Sequence, residues 1–251
     1  MRLAVVIITY NEERNIERCL KSIQGVADEI IVVDSFSTDK TQEIIQNFGA
    51  QLFTRKWEGY SNAKNFGNEQ VSAEYILWLD ADEALDSTLQ RAIRTWKNQS
   101  HQRAFYTINR MTNYCGKWIK HSGWYPDRKV RLFQKNSMKW NDEVVHESLE
   151  EIEHLPTKQL EGDILHFSYY SFEQHRQKAD SYSKLTAKKY VEQGKKANLL
   201  QPFLSALGRF VAMYFLKKGF LDGYMGFKIA QISAASNYFK YQEVRRLQKL
   251  L

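Results

Sequence analysis

The sequence predicts an α/β protein with a mostly parallel sheet flanked by helices and a C-terminal amphipathic helical extension. Three observations carry this. Short apolar runs rich in Val and Ile alternate with segments whose apolar residues recur at helical spacing. Polar clusters follow the carboxyl ends of three of those runs. From Phe172 onward the chain turns aromatic, basic and helical in character.

Leu3–Ile8 reads as a strand covered on both faces, because nothing polar interrupts it. Asn11–Gln24 carries Ile16, Cys19, Leu20 and Ile23 on one helical face. Glu29–Val33 is a second buried strand, Thr41–Phe48 a helix and Gln51–Thr54 a third strand. Asn62–Val71 reads as a helix, Tyr75–Leu79 as a fourth strand and Leu85–Trp96 as a helix. Past residue 100, Ala104–Arg110 and Lys129–Gln134 read as strands between aromatic loops. The expected organisation is a catalytic domain over 1–170, with halves 1–100 and 101–170, and a helical extension over 171–251.

The chain has 251 residues and a net charge of +7. The charge is uneven: residues 170–251 carry about +10 and residues 1–169 about −3. A basic, aromatic tail fits an acidic partner such as an anionic membrane surface. A solvated helix face, or packing on the main domain or on a second subunit, fits it as well. No stretch of about 18 apolar residues occurs, so a spanning helix is not expected. The N-terminal apolar run is too short for a signal peptide core, and two cysteines suggest no disulfide framework. A cytoplasmic protein is expected, with a peripheral position on the inner face of the membrane.

The chemistry gathers at the strand ends, where ligands bind in open α/β sheets. Asp80 and Asp82, in Leu79-Asp-Ala-Asp-Glu83, end a buried strand. Two carboxylates there can approach a divalent ion, Mn2+ or Mg2+, and a ribose. Such an ion meets the charge of a leaving diphosphate. Thr9-Tyr10-Asn11-Glu12 offers a ring to stack on a base and groups to accept its N–H, or else a helix cap through Asn11. Asp34 can reach a base or ribose, while Ser37 and Asp39 are also candidate caps.

In order and spacing, residues 5–13, 31–41, 62–67 and 79–83 resemble family 2 glycosyltransferases, which have the GT-A fold. The match covers roughly the first 100 residues. Phe36 departs from it, standing where related sequences have Gly or another small residue. The resemblance implies that Tyr10, Glu12 and Asp34 hold the nucleoside, with Thr9 and Asn11 beside them and Lys64 near the nucleotide. It further implies that Asp80 binds ribose or metal, that Asp82 binds metal, and that the reaction inverts the anomeric centre. UDP is the nucleotide it favours.

An inverting transfer needs a general base for the acceptor hydroxyl. His146-Glu147 resembles the His-Glu motif of relatives that build lipopolysaccharide cores, which makes Glu147 the candidate base. Asp127 is the second choice, and a salt bridge to Arg128 or Arg131 is the structural alternative for either carboxylate. His166 is a further candidate metal ligand or diphosphate contact, or else a structural histidine. With the 166–170 and 218–227 segments, the whole chain resembles that lipopolysaccharide-core branch. The resemblance implies a glycolipid or oligosaccharide acceptor.

Other classes fare worse. The first strand is followed by no glycine-rich loop, against nucleotidyl transfer and dinucleotide-dependent redox chemistry, and there is no P-loop. Nucleic-acid binding lacks any motif. A catalytically silent nucleotide-binding scaffold of the same fold remains the alternative.

Overall fold

A computed structural model describes residues 1–99, 103–141 and 149–250. In chain order the elements begin with β1 (Leu3–Thr9), α1 (Ile16–Ile23), β2 (Glu29–Asp34), α2 (Thr41–Asn47), β3 (Gln51–Thr54) and α3 (Tyr60–Gln70). Next come β4 (Tyr75–Asp80), β5 (Glu83–Leu85), α4 (Ser87–Lys97), β6 (Phe105–Tyr114), β7 (Lys117–Trp118), β8 (Asp127–Gln134) and β9 (Met138–Trp140). The chain ends with β10 (Leu149–Glu151), β11 (Thr157–Tyr169), α5 (Phe172–Glu192), α6 (Gln201–Val211) and α7 (Gly223–Gln248).

The chain divides into two compact units, one of residues 1–110 and 127–166, the other of residues 111–126 and 167–251. The chain passes from the first unit to the second for the last time between residues 166 and 167. The 111–126 segment joins the helical unit, which local sequence pattern gives no reason to expect.

In the first unit, β3, β2, β1 and β4 lie side by side and parallel. β8, β6, β11 and β5 continue the sheet beyond β4, with β8 antiparallel to β4. The unbroken apolar runs follow from cover on both faces. Leu3, Val5 and Ile7 enter one core with α1 and α4, while Ala4, Val6 and Ile8 enter a second on the other face. Gly67 lets α3 approach the sheet there: an added Cβ would come 2.6 Å from Val6 Cγ1.

Two boundaries differ from the sequence reading. α1 starts at Ile16 and not near Asn11, because Asn11 has a left-handed backbone (φ 53°) and sits in the loop above the strand. Residues 83–85 form β5, paired with β11, before α4 opens on Asp86, which accepts from the Leu89 N–H at 2.6 Å.

In the second unit, α5 opens at Phe172 with Ser171 as its cap, and α5 and α6 pack on α7. A π-helical turn (Ala212–Leu216) and a 3-10 turn (Gly219–Asp222) join α6 to α7. The buried Asp222 carboxylate holds the neighbouring loop, accepting from the His121 N–H at 2.8 Å and His121 Nδ1 at 3.0 Å. Among the described residues, no helix is long and apolar enough to cross a membrane.

Candidate active site

The parallel register sets the site. Thr9 lies opposite Asp34, and Ile8 opposite Asp80, so the three polar clusters share one sheet edge. Tyr10 is 57% exposed and free to meet a planar ligand, whereas the Thr9 hydroxyl is buried without a hydrogen-bond partner.

Asn11 does not cap α1. Its amide oxygen accepts the Thr38 N–H at 2.8 Å and its own N–H donates to Ser37 Oγ at 2.8 Å, which ties the first two clusters together. Glu12 Oε2 accepts from Asn15 Nδ2 at 2.7 Å. Asp34 is fully buried, and its carboxylate accepts from the Ser37 N–H at 2.8 Å, the Ser37 hydroxyl and Gln42 Nε2 at 2.6 Å. Asp39 is not the cap residue of α2, which is Lys40; its carboxylate accepts the Thr41 N–H at 3.0 Å and the Glu13 N–H at 3.1 Å in the loop before the helix. Phe36 has φ 61°, a conformation that favours glycine, so its departure from the family pattern is a matter of turn geometry.

Lys64 is a buried cation with Nζ 3.9 Å from the centre of the Trp140 ring. Asn65 holds the Trp140 backbone: its Nδ2 donates to the Trp140 C=O and its Oδ1 accepts the Trp140 N–H, both at 2.9 Å.

Around Asp80 the sheet assembles a charge network. Glu83 is buried, accepting the Asp80 N–H at 2.9 Å on Oε2 and Arg131 Nη2 at 2.6 Å on Oε1. Arg131 Nη2 also lies 3.7 Å from Asp80 Oδ2, and Arg110 Nη1 lies 3.7 Å from Glu83. Burial pushes the Asp80 carboxyl up, but Arg131, Lys64, His166 and Arg110 hold it below the usual carboxylate range. Burial raises the Glu83 carboxyl, against the pull of Arg131. Cys19 lies beneath, Sγ 3.8 Å from the Asp80 carbonyl oxygen, its thiol pushed well up by burial first and then by the neighbouring carboxylates.

β11 brings His166 opposite Glu83 in register, and His166 Nε2 stands 3.2 Å from Asp82 Oδ2. The His166 Nδ1 is buried with no hydrogen-bond partner. A carboxylate and an imidazole side by side at a strand end are suitable donors for a divalent ion. Among the described residues, no group of three or more His, Cys, Asp and Glu side chains could hold one unaided. Asp82 and His166 by themselves fall short of a full set of ligands for such an ion.

A family model described as glycosyl transferase family 2 matches residues 4–150. The chain belongs to that family. An uncharacterized glycosyltransferase of Rickettsia typhi is 30% identical over 98% of this chain and 87% of its own length. The lipopolysaccharide core biosynthesis glycosyltransferase LpsC of Rhizobium meliloti is 26% identical over 95% of this chain and 93% of its own. Among solved structures, S. aureus TarS in complex with UDP aligns at a TM-score of 0.47 and 16% identity, covering 100% of this chain and 92% of that one.

Of the residues this glycosyltransferase was expected to use, Thr9, Tyr10, Asn11, Glu12, Asp34, Lys64, Asp80, Asp82 and His166 all belong to the first unit. Glu147 and His146 lie outside the described residues. Asp127 pairs with Arg110 at 2.6 Å and Lys129 at 3.4 Å, not with Arg128 or Arg131. Those two cations outweigh its burial and hold its carboxyl low, so it starts as a weak base. The sequence reading gave no role to Glu83 as an anchor or to Arg110. The available signal was a third carboxylate in a strand-end cluster too apolar to solvate it.

Proposed function

We propose that this glycosyltransferase moves a sugar from a nucleotide-sugar, a UDP-sugar first among them, to a hydroxyl of a glycolipid or oligosaccharide acceptor. The setting proposed is lipopolysaccharide core synthesis on the cytoplasmic side of the membrane, with inversion at the anomeric carbon. The observation that carries the reading is the Asp82–His166 contact beside Asp80, at the edge shared with Thr9–Glu12 and Asp34. Whole-length similarity to LpsC, named for lipopolysaccharide core biosynthesis, supports the acceptor class.

Tyr10 stacks on the base, with Glu12 and Asp34 reading its polar edge and the ribose. Lys64, held under Trp140, faces phosphate charge. Asp82 and His166 are the residues that would hold a divalent ion together with donor oxygens, Asp80 beside them meeting ribose or metal, and the imidazole favours Mn2+ over Mg2+. Such an ion, when bound, offsets the charge that develops on the leaving diphosphate. Glu83 and Arg131 hold Asp80 in place for that encounter. Glu147 removes the acceptor proton as its oxygen attacks.

Transfer from UDP-sugars to a lipopolysaccharide-core acceptor is the direct assay. Glu147→Gln should stop turnover while sparing donor binding. Normal turnover in that variant removes Glu147 as the base and turns attention to Asp127.

A further inference from the structure

α6 packs on α7 through one face, with Pro202 and Met213 buried and the Phe210 ring 5.9 Å from that of Phe227. Its other face is apolar too. Leu200, Leu204, Leu207, Val211 and Phe215 recur at helical spacing and are 66%, 65%, 63%, 37% and 55% exposed. Leu216, 76% exposed, extends the ridge through the π-helical turn. Large contiguous apolar surface on a protein marks something it covers or is covered by.

The charge of the segment carrying this ridge indicates the occupant: Lys217 and Lys218 directly follow Leu216, while Arg209 lies on the opposite side of α6 from Leu207 and Val211. From residue 193 to 221 the chain has Lys195, Lys196, Arg209, Lys217 and Lys218 and no Asp or Glu. The next acid, Asp222, is buried and engaged with the 120–121 loop. A second copy meeting this face would bring cation against cation, which costs free energy. An anionic bilayer offers hydrocarbon to the leucines and negative headgroups to the lysines at once. The stretch 200–216 spans about 24 Å at helical rise, short of the roughly 30 Å hydrocarbon core, so it suits a helix lying in the plane of the interface.

We propose that the α6 ridge seats this protein on the surface of an anionic phospholipid membrane. The ridge belongs to the second unit, whereas every described residue of the candidate active site belongs to the first. Membrane seating and donor binding are therefore separately testable.

The test is sedimentation of the full chain with phosphatidylcholine vesicles, with and without phosphatidylglycerol. Binding should require phosphatidylglycerol and weaken as salt rises. Leu204→Glu with Leu207→Glu should weaken it about tenfold or more, and Lys217→Glu with Lys218→Glu should abolish the preference for anionic lipid. Both pairs change exposed side chains, so thermal unfolding should match the wild type; Leu204→Ser with Leu207→Ser serves as a milder pair. Wild-type protein left in the supernatant overturns the proposal, as does undiminished binding by both leucine pairs. So does a wild-type dimer in analytical ultracentrifugation that the leucine pairs dissociate, with no vesicle binding by any form.

Discussion

Arg131 Nη2 lies 2.6 Å from Glu83 Oε1, and Glu83 has no solvent-exposed side-chain surface. The pair supports Asp80 from below: the other Glu83 oxygen accepts the Asp80 N–H, and Arg131 faces the Asp80 carboxylate. Removing one partner of a buried pair strands the other's charge, at about 3–5 kcal/mol. Glu83→Ala and Arg131→Ala should each destabilise the first unit by that order. Replacing both with Met should cost less than either single change. Urea unfolding of the four proteins checks this; a double variant as unstable as the sum of the singles contradicts it.

Asp82 and His166, 3.2 Å apart, are the side chains we propose as metal donors. Asp82→Ala should abolish the Mn2+-dependent part of turnover, and His166→Ala should weaken Mn2+ affinity with a smaller effect on the unfolding temperature of the metal-free protein. Turnover titrated against Mn2+ measures both. An unchanged Mn2+ requirement in His166→Ala would make His166 structural.

His175 gives the second unit a pH dependence. It is buried, with Nδ1 2.8 Å from the Tyr114 hydroxyl, and burial, helped by Lys178, lowers its pKa from 6.5 to about 4. Between those values the unfolded chain binds a proton that the folded chain does not. Stability from this group is therefore full above pH 6.5 and falls as pH drops towards 4, by about 3 kcal/mol. His175→Gln should flatten that part of the profile. Parallel wild-type and variant profiles would show that His175 is not the group responsible.

At Gly226 an added Cβ would come 1.9 Å from the Gly219 carbonyl oxygen, a backbone atom that cannot swing aside. Gly226→Ala should cost about 1–3 kcal/mol or more through overpacking, measured by thermal unfolding. This is a physical reason for the glycines in the 218–227 segment that the sequence singled out.

What the sequence made legible was local. β1, β2 and β4 are unbroken apolar runs because both faces are covered, and the polar residues ending them could be assigned to one edge before any contact was known. What it hid was long-range. Leu85 reads as the first residue of a helix until β11 pairs with β5, and the same pairing puts His166 beside Asp82 across more than eighty positions. Asn11 was read as a candidate cap, yet its side chain spends itself on Thr38 in the neighbouring loop. No periodicity encodes such a cross-loop bond. The exposed α6 stripe was legible as amphipathic, but which of its two apolar faces packs on α7 depends on the tertiary fold.

Thermal unfolding of the full chain with UDP, GDP, CMP and ADP, each with and without Mn2+, tests the donor site most directly. A ligand that binds only the folded state raises its stability by mass action. The expected result is a shift for UDP that requires Mn2+ and disappears in Asp82→Ala. No shift with any nucleotide at saturating concentration, or a UDP shift indifferent to Mn2+ and to Asp82→Ala, would contradict a divalent-assisted donor site at this sheet edge.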